Sequence, residues 1–391
     1  MDHSFLAENY LERLSPELHK RYTGFISTAD ELLGRYLDSF PEFTDHSLLH
    51  SVEVADIANR LIINYIDKLN AEELYILLMA ALLHDIGMGY GADDLDKKQP
   101  PGYASFLEKN SRENVLDFIR SNHHDLGALF VMENWQDCLI PDEKMAEAIA
   151  ETGRGHRKTD LTDTSIYPPD LKLGDSTVNL QYLTAVIRLA DEMDVSSSRN
   201  LQLLFTGYIP TENVHAVAFQ THRLLKNVFE EDKLTLKAQT GNIKEYNELI
   251  TTFNKLNDTL EYCNKVVESC TGISLPVRHL ENGIILIDDS APLVLDDSRS
   301  GDTLTISLKG KLDTTTFSQL DELLSAGLGG KVINLIMDFN DLTYLSSAGL
   351  RIILGAKRKT SALNGEMKII NISENVMLVF RMTGFDSMLD L

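Results

Sequence analysis

The segment 71–89, AEELYILLMAALLHDIGMG, restricts what this chain can fold into more than any other. Leu74, Leu77, Leu78, Ala81 and Leu82 recur at the three- and four-residue spacing of one helix face, and towards its end the segment is apolar almost all round. Such a helix belongs in the middle of a bundle, covered by others. It runs into His84-Asp85, and a buried His-Asp pair is costly unless its polar atoms are satisfied. A divalent metal satisfies both at once, because imidazole nitrogen and carboxylate oxygen are each good ligands. A hydrogen-bonded core pair is the other solution. Gly87 and Gly89 read as the stop signal.

The segments around it repeat the helical period. Leu48, Leu49, Val52, Val54, Ile57, Ala58, Leu61 and Ile62 mark one helix, and others are expected at 112–120, 126–133, 143–153 and 178–195. The segment Asp93–Tyr103, with Lys97, Lys98, Pro100 and Pro101, reads as a surface loop. Residues 1–200 are therefore expected to be an all-α bundle. Residues 201–296 read as a small mixed α/β extension: VHAVAFQT and KLTLKAQT as strands, Ile243–Ser269 as one long helix, and GIILI near 283–287 as a connecting strand. The polar run DDSRSGD at 296–302 is the best boundary. Beyond it the period changes. DTLTISLKGKL alternates as a half-buried strand does, then come a helix (Thr316–Ala326), the strand VINLIMDF, a helix from Ser347, the strand MKIINI and a last helix. Alternating strands and helices make residues 297–391 an α/β domain.

Composition narrows the class. A chain of 391 residues, 43% hydrophobic and 24% charged, is a multidomain globular protein. Cys138, Cys263 and Cys270 show no paired framework, the N-terminus has no signal-peptide pattern, and no apolar run reaches the length of a membrane span. A soluble, cytoplasmic protein is expected; self-association is left open. Net charge is −23. Residues 291–391 hold 10 of the 36 basic and 12 of the 59 acidic residues, which leaves 26 basic and 47 acidic, or −21, in residues 1–290. That acidity disfavours broad nucleic-acid binding.

The His84-Asp85 pair does not stand alone. His50 precedes it, His123-His124 and His156 follow, and Asp191 closes the series in VIRLADEMD. In this order the set resembles the HD superfamily of metal-dependent phosphohydrolases, through HSVEVA from His50, LLHDIGMG around His84-Asp85 and RLADEMD around Asp191. FTDHSLLHS and RLADEMD are similar to a subgroup tied to bacterial stress and conflict systems. The resemblance covers roughly residues 35–200. It implies that His50, His84, Asp85 and Asp191 hold one metal, that His123 (in RSNHHDLGA) and His156 (in GRGHRK) add a second, and that Asp85 bridges the two, making His84 and Asp85 the catalytic centre. Three alternatives stay open: His124 for His123, Asp194 for Asp191, and His46 as a ligand or as a group that orients one.

Two carboxylates and several neutral imidazoles suit one or two ions of manganese, iron, zinc, nickel or cobalt. A bound ion acidifies water and neutralises phosphoryl charge. The basic island TGRGHRKTD supplies Arg154, Arg157 and Lys158 as candidate phosphate ligands, with Arg188 and Arg120 as further candidates. The competing reading pairs these cations with acids such as Asp160 and Asp163.

Residues 297–391 resemble a STAS domain, through IMDFNDLTYLSSAGLRIILGAKR. The resemblance implies a phosphorylatable serine ahead of Gly-Leu, here Ser347 before Gly349-Leu350, and a partner of the GHKL ATPase or kinase class. Ser346 stands where the best-known members have an aspartate. One of the two serines is also expected to cap the helix. The combined expectation is a metal-dependent phosphohydrolase, acting on a small nucleotide-like phosphoester and regulated through a STAS domain. The alternative is a non-catalytic HD–STAS adaptor for such a partner.

Overall fold

A computed structural model describes residues 5–40, 46–157, 159–195, 224–230, 232–286, 293–330, 332–383, 385 and 389. The chain divides between residues 286 and 287 into two compact units.

The first unit is built of α1 (Leu6–Leu14), α2 (Pro16–Gly34), α3 (Tyr36–Ser39), α4 (Leu48–Ile62), α5 (Ala71–Leu83), α6 (Ala92–Lys98), α7 (Tyr103–Leu107), α8 (Val115–Asn134), α9 (Glu143–Arg154), α10 (Leu180–Met193) and α11 (Ile243–Thr271). The apolar segment is the central helix: every residue of α5 from Glu73 to Leu83 is buried, packed among α1, α2, α4, α9 and α10. A capping box starts it, Asn70 Oδ1 accepting from Glu73 N at 2.9 Å and Glu73 Oε2 from Asn70 N at 3.0 Å. The second oxygen of Glu73 accepts from Asn179 N at 3.0 Å, which ties the start of α10 to the start of α5. The two helices that carry the acidic ends of the histidine series are thereby held in register.

Two local expectations are corrected. Residues 93–103 are not a loop: α6 fills Ala92–Lys98, with Asp94 Oδ2 accepting from Gly91 N at 2.9 Å and the acids and lysines disposed to suit the helix dipole. Pro100 and Pro101 only end it. The helix expected over 178–195 begins only at Leu180, and Val178 instead ends a hairpin of β1 (Leu171–Leu173) and β2 (Ser176–Val178), whose two-residue turn begins with Gly174 at φ 56°.

The extension is a three-stranded sheet, β3 (Lys226–Glu230), β4 (Lys233–Thr240) and β5 (His279–Leu286). β3 pairs antiparallel with β4, and β5 parallel with β4 after the α11 crossover. KLTLKAQT, the long helix and a strand through residues 283–286 are thus where they were expected; residue 287 and VHAVAFQT lie outside the described residues. Leu234, Leu236, Leu249, Leu256 and Leu260 belong to the same apolar core as α5 and α10, so the extension is built into the bundle rather than hung from it.

The second unit is a four-stranded sheet in the order β6 (Val294–Ser300), β7 (Thr303–Leu312), β8 (Asn334–Leu345), β9 (Met367–Ile370), with α12 (Phe317–Gly327), α13 (Ser347–Ala362) and α14 (Glu374–Thr383). β6 and β7 are antiparallel and the other pairs parallel. Leu304, Ile306, Met337, Phe339, Ile353 and Phe380 form its core. The run 296–302, read from the sequence as the boundary, lies inside the second unit. It is most of β6 and the turn at Gly301, and it reads as polar because an edge strand exposed on nearly every residue is protected by charge rather than buried. Among the described residues, no single helix is long and apolar enough to cross a membrane.

Candidate metal centre

His84 caps the C-terminus of α5, and Asp85 follows at φ −100°, ψ 6°, where the chain turns into the 3-10 segment Ile86–Gly89. That turn packs hard against α8: a β-carbon on Gly87 would stand 2.0 Å from the His123 carbonyl oxygen. Gly87 is required for closeness rather than for turning. His156 sits just past α9, and a β-carbon on neighbouring Gly155 would meet Thr184 of α10 at 2.0 Å. Two glycines thus let backbone bearing ligand-type side chains approach to contact.

Six side chains converge. The Nε2 atoms of His50 and His84 are 3.1 Å apart. Asp85 Oδ2 lies 3.4 Å from the first and 3.3 Å from the second. Asp191 Oδ1 lies 3.3 and 3.8 Å from them. A second set faces the other oxygen: His123 and His156 Nε2 are 3.0 Å apart, and Asp85 Oδ1 is 3.4 and 3.6 Å from them. Asp85 therefore belongs to both sets, with one oxygen turned to each.

The outer nitrogens fix the chemistry of the inner ones. Nδ1 of His84 donates to Ala81 O at 2.9 Å, that of His123 to Arg120 O at 2.7 Å, that of His156 to Gly153 O at 2.6 Å, and that of His50 to Asp194 Oδ2 at 2.7 Å. With Nδ1 protonated, a neutral imidazole presents a lone pair at Nε2. Each facing pair then sets lone pair against lone pair at about 3 Å, beside carboxylates, an arrangement that calls for a cation. Both sets have the composition and closeness to hold a metal ion.

Electrostatics agree with that donor set. Burial pushes the Asp85 carboxyl up, but His84 and His46 hold it well below the usual range. Burial likewise pushes Asp191 up, but the neighbouring His50 and His84 rings bring it well below the usual range. Burial pushes His123 down to about 4 and His156 well below its ordinary value. Carboxylates are ionised and these imidazoles neutral at pH 7, the forms that ligate metals.

The open alternatives resolve by position. Asp194 is fully buried but turned to the outer nitrogen of His50, so Asp191 is the carboxylate that faces the cluster. His124 lies on the next turn position of α8, with Nε2 3.5 Å from Asp125, and joins neither set. His46 Nδ1 donates to Asp85 Oδ2 at 2.8 Å and its ring stands edge-on to His50, so it orients Asp85.

The basic island splits. Arg154 is paired: its guanidinium is taken by Asp125 at 2.6 Å and Glu151 at 3.3 Å, partners other than those expected. Asp160 and Asp163 instead close their own turns on Thr162 and Ser165. Buried Arg188 donates to Gly155 O at 2.7 Å and to Thr159 O at 2.8 Å, holding the loop that bears His156. Arg120 lends its carbonyl to His123. Lys158 lies outside the described residues. Arg157 is exposed, has no carboxylate partner among the described residues, and lines a cleft of about 500 Å3 together with His156, Arg188 and Glu192. The far wall is the α11 face from Thr251 to Tyr262. The sequence points to residues 200–290 as shaping a substrate pocket but picks out no residue of α11, because α11 carries no histidine and signals itself only by a polar stripe opposite its apolar one.

In the second unit Ser346 is the helix cap, its Oγ accepting from Gly349 N at 3.2 Å, and Ser347 is the first residue of α13.

A family model described as HD-CE matches residues 40–267, and a STAS domain model matches residues 295–391. The chain belongs to the HD-CE family and carries a C-terminal STAS domain. The HD-CE match runs through residue 200 into the extension, as the shared core does. The STAS part is similar to an anti-sigma F factor antagonist of Lysinibacillus sphaericus, 30% identical over 84 residues (21% of this chain, 72% of that protein). It is also similar to an anti-sigma-B factor antagonist of Bacillus subtilis, 24% identical over 97 residues (25% and 88%). A solved structure of the anti-sigma factor antagonist SpoIIAA in its unphosphorylated form is 28% identical, covering 23% of this chain and 81% of that one, with a TM-score of 0.22.

Proposed function

We propose that the first unit is a metal-dependent phosphohydrolase acting on a nucleotide or nucleotide-like phosphoester in the cytoplasm. The observation that carries this reading is the Asp85 carboxylate, shared between two ligand sets, one of which reaches the cleft through His156 beside Arg157. Divalent ions bound there supply positive charge for phosphoryl oxygens and acidify water. His50, His84, Asp191 and Asp85 would hold one ion, and His123 and His156 with Asp85 would hold the other. The carbonyls of Ala81, Arg120 and Gly153, with Asp194, keep the imidazoles aimed. Arg157 offers its guanidinium to the phosphate, with Lys158 beside it in sequence. Arg154, tied to Asp125 and Glu151, supports the loop instead. The −21 balance of residues 1–290 argues against a polynucleotide substrate.

The STAS unit is read as the regulatory part, which binds a partner of the GHKL ATPase or kinase class and is switched by phosphate on Ser347. The named relatives and the position of Ser347 at a helix N-terminus support this. The test is phosphate release from a panel of nucleotides by the manganese-loaded full chain and by Asp85→Ala. The expected result is hydrolysis by the first alone. No hydrolysis of any phosphoester would leave the adaptor reading in its place.

A further inference from the structure

The cleft has two chemically different ends. At the centre lie His156 and Arg157, a place for an anion. On the opposite wall α11 buries Leu249, Leu256 and Leu260, and at the helical spacing between them turns Asn254 and Asp258 to the cleft. Both are exposed, and among the described residues neither side chain has a hydrogen-bond or ion-pair partner. The other charges of this wall are spent: Lys255 is paired with Glu192 at 2.6 Å. Tyr262 is fixed as well, its hydroxyl accepting from Leu161 N at 2.8 Å and its ring 5.5 Å from the Arg188 guanidinium. Among the described residues that line the cleft, what remains is the unpaired guanidinium of Arg157 by the centre, and the unpaired Asp258 carboxylate with the Asn254 amide on α11.

We propose that Asn254 and Asp258 of α11 are specificity-determining residues, which read the sugar hydroxyls of a ribonucleotide whose phosphate lies at Arg157 and His156. An ionised carboxylate is acceptor-only and suits a vicinal pair of hydroxyls; the amide donates and accepts beside it. A cleft of about 500 Å3 lies within the size of small-molecule sites, roughly 300–1,000 Å3. A site that hydrogen-bonds a hydroxyl also discriminates strongly against an analogue without it.

This inference rests on the phosphohydrolase reading for the placement of the phosphate, and one experiment separates the two. Equilibrium binding of ribonucleotides and of their 2′- and 3′-deoxy counterparts is measured on the manganese-loaded full chain, on Asp258→Ala and on Asn254→Ala. Hydrolysis of the same nucleotides and of p-nitrophenyl phosphate by the wild type is followed alongside. We expect the ribonucleotide to bind about tenfold more tightly than its deoxy counterpart, and Asp258→Ala to erase that preference. Erased preference is the decisive reading, since a merely structural change would weaken both ligands alike. A preference that survives in both variants, or its absence in the wild type, overturns the proposal. Asp258-dependent binding without hydrolysis upholds it and overturns the phosphohydrolase reading. Hydrolysis of p-nitrophenyl phosphate with no nucleotide binding does the reverse, and neither activity overturns both.

Discussion

The Asp194 carboxylate stands 2.7 Å from Nδ1 of His50, on the side of the ring away from the cluster. Asp191, three residues earlier on the same helix end, meets the other nitrogen of that ring at 3.3 Å. One imidazole is thus held between two aspartates, one that faces the centre and one that fixes its tautomer. Asp194→Ala is expected to weaken metal binding by about 10- to 100-fold while leaving a measurable site, the usual effect of losing such a support. Asp191→Ala should lose more. Metal titrations of the two variants check the order, and a weaker Asp194→Ala than Asp191→Ala would exchange their roles.

Acid should destabilise the metal-free chain over a defined window. An unfolded histidine titrates near 6.5, whereas burial holds folded His123 near 4. Between those values the unfolded state takes up a proton that the folded state refuses, so stability falls as pH is lowered from about 6.5 to about 4. The depressed carboxyls of Asp85 and Asp191 act in the same direction at lower pH. Melting temperatures of the chelator-treated chain should therefore drop steadily across that window. A flat profile would mean that His123 is not neutral in the fold.

Gly87→Ala should damage the centre without touching a ligand. Its β-carbon would lie 2.0 Å from the His123 carbonyl, so the turn bearing Asp85 has to move away from α8. A loss of about 1–3 kcal/mol of stability is expected, as for overpacking generally, with reduced metal content. Calorimetry and metal analysis together check this; wild-type values in both would show that the contact relaxes freely.

Much of this was legible in the sequence, for physical reasons that also explain what was not. Burial of His84-Asp85 followed from an apolar run long enough to be central, and the change of period near residue 301 marked the α/β unit. Adjacent histidines could not be separated, because residues one apart on a helix point about 100° apart and only the packing of α8 says which faces inward. Arg154 reads as a site residue in the sequence because one of its acids, Asp125, is brought to it only by the packing of α8 on α9; the other, Glu151, stands one turn earlier on its own helix. The strand at 294–300 was hidden by its own edge position, since alternation shows only where one face is buried.

The two serines of the STAS unit should separate by experiment. Ser346→Ala removes the cap of α13 and is expected to cost about 1 kcal/mol in a denaturant melt. Ser347→Asp leaves that cap in place and adds charge where the helix dipole favours it. It should change affinity for a GHKL-class partner encoded nearby, measured by calorimetry; unchanged affinity would leave Ser347 without a switching role.

The central claim is that one carboxylate, Asp85, holds two ions together. Metal content per chain, measured by mass spectrometry after loading and exhaustive dialysis, tests it most directly. The account predicts two ions in the wild type, one in His123→Ala, and none in Asp85→Ala with helix content kept. Two ions retained by Asp85→Ala, or none in the wild type, would contradict it.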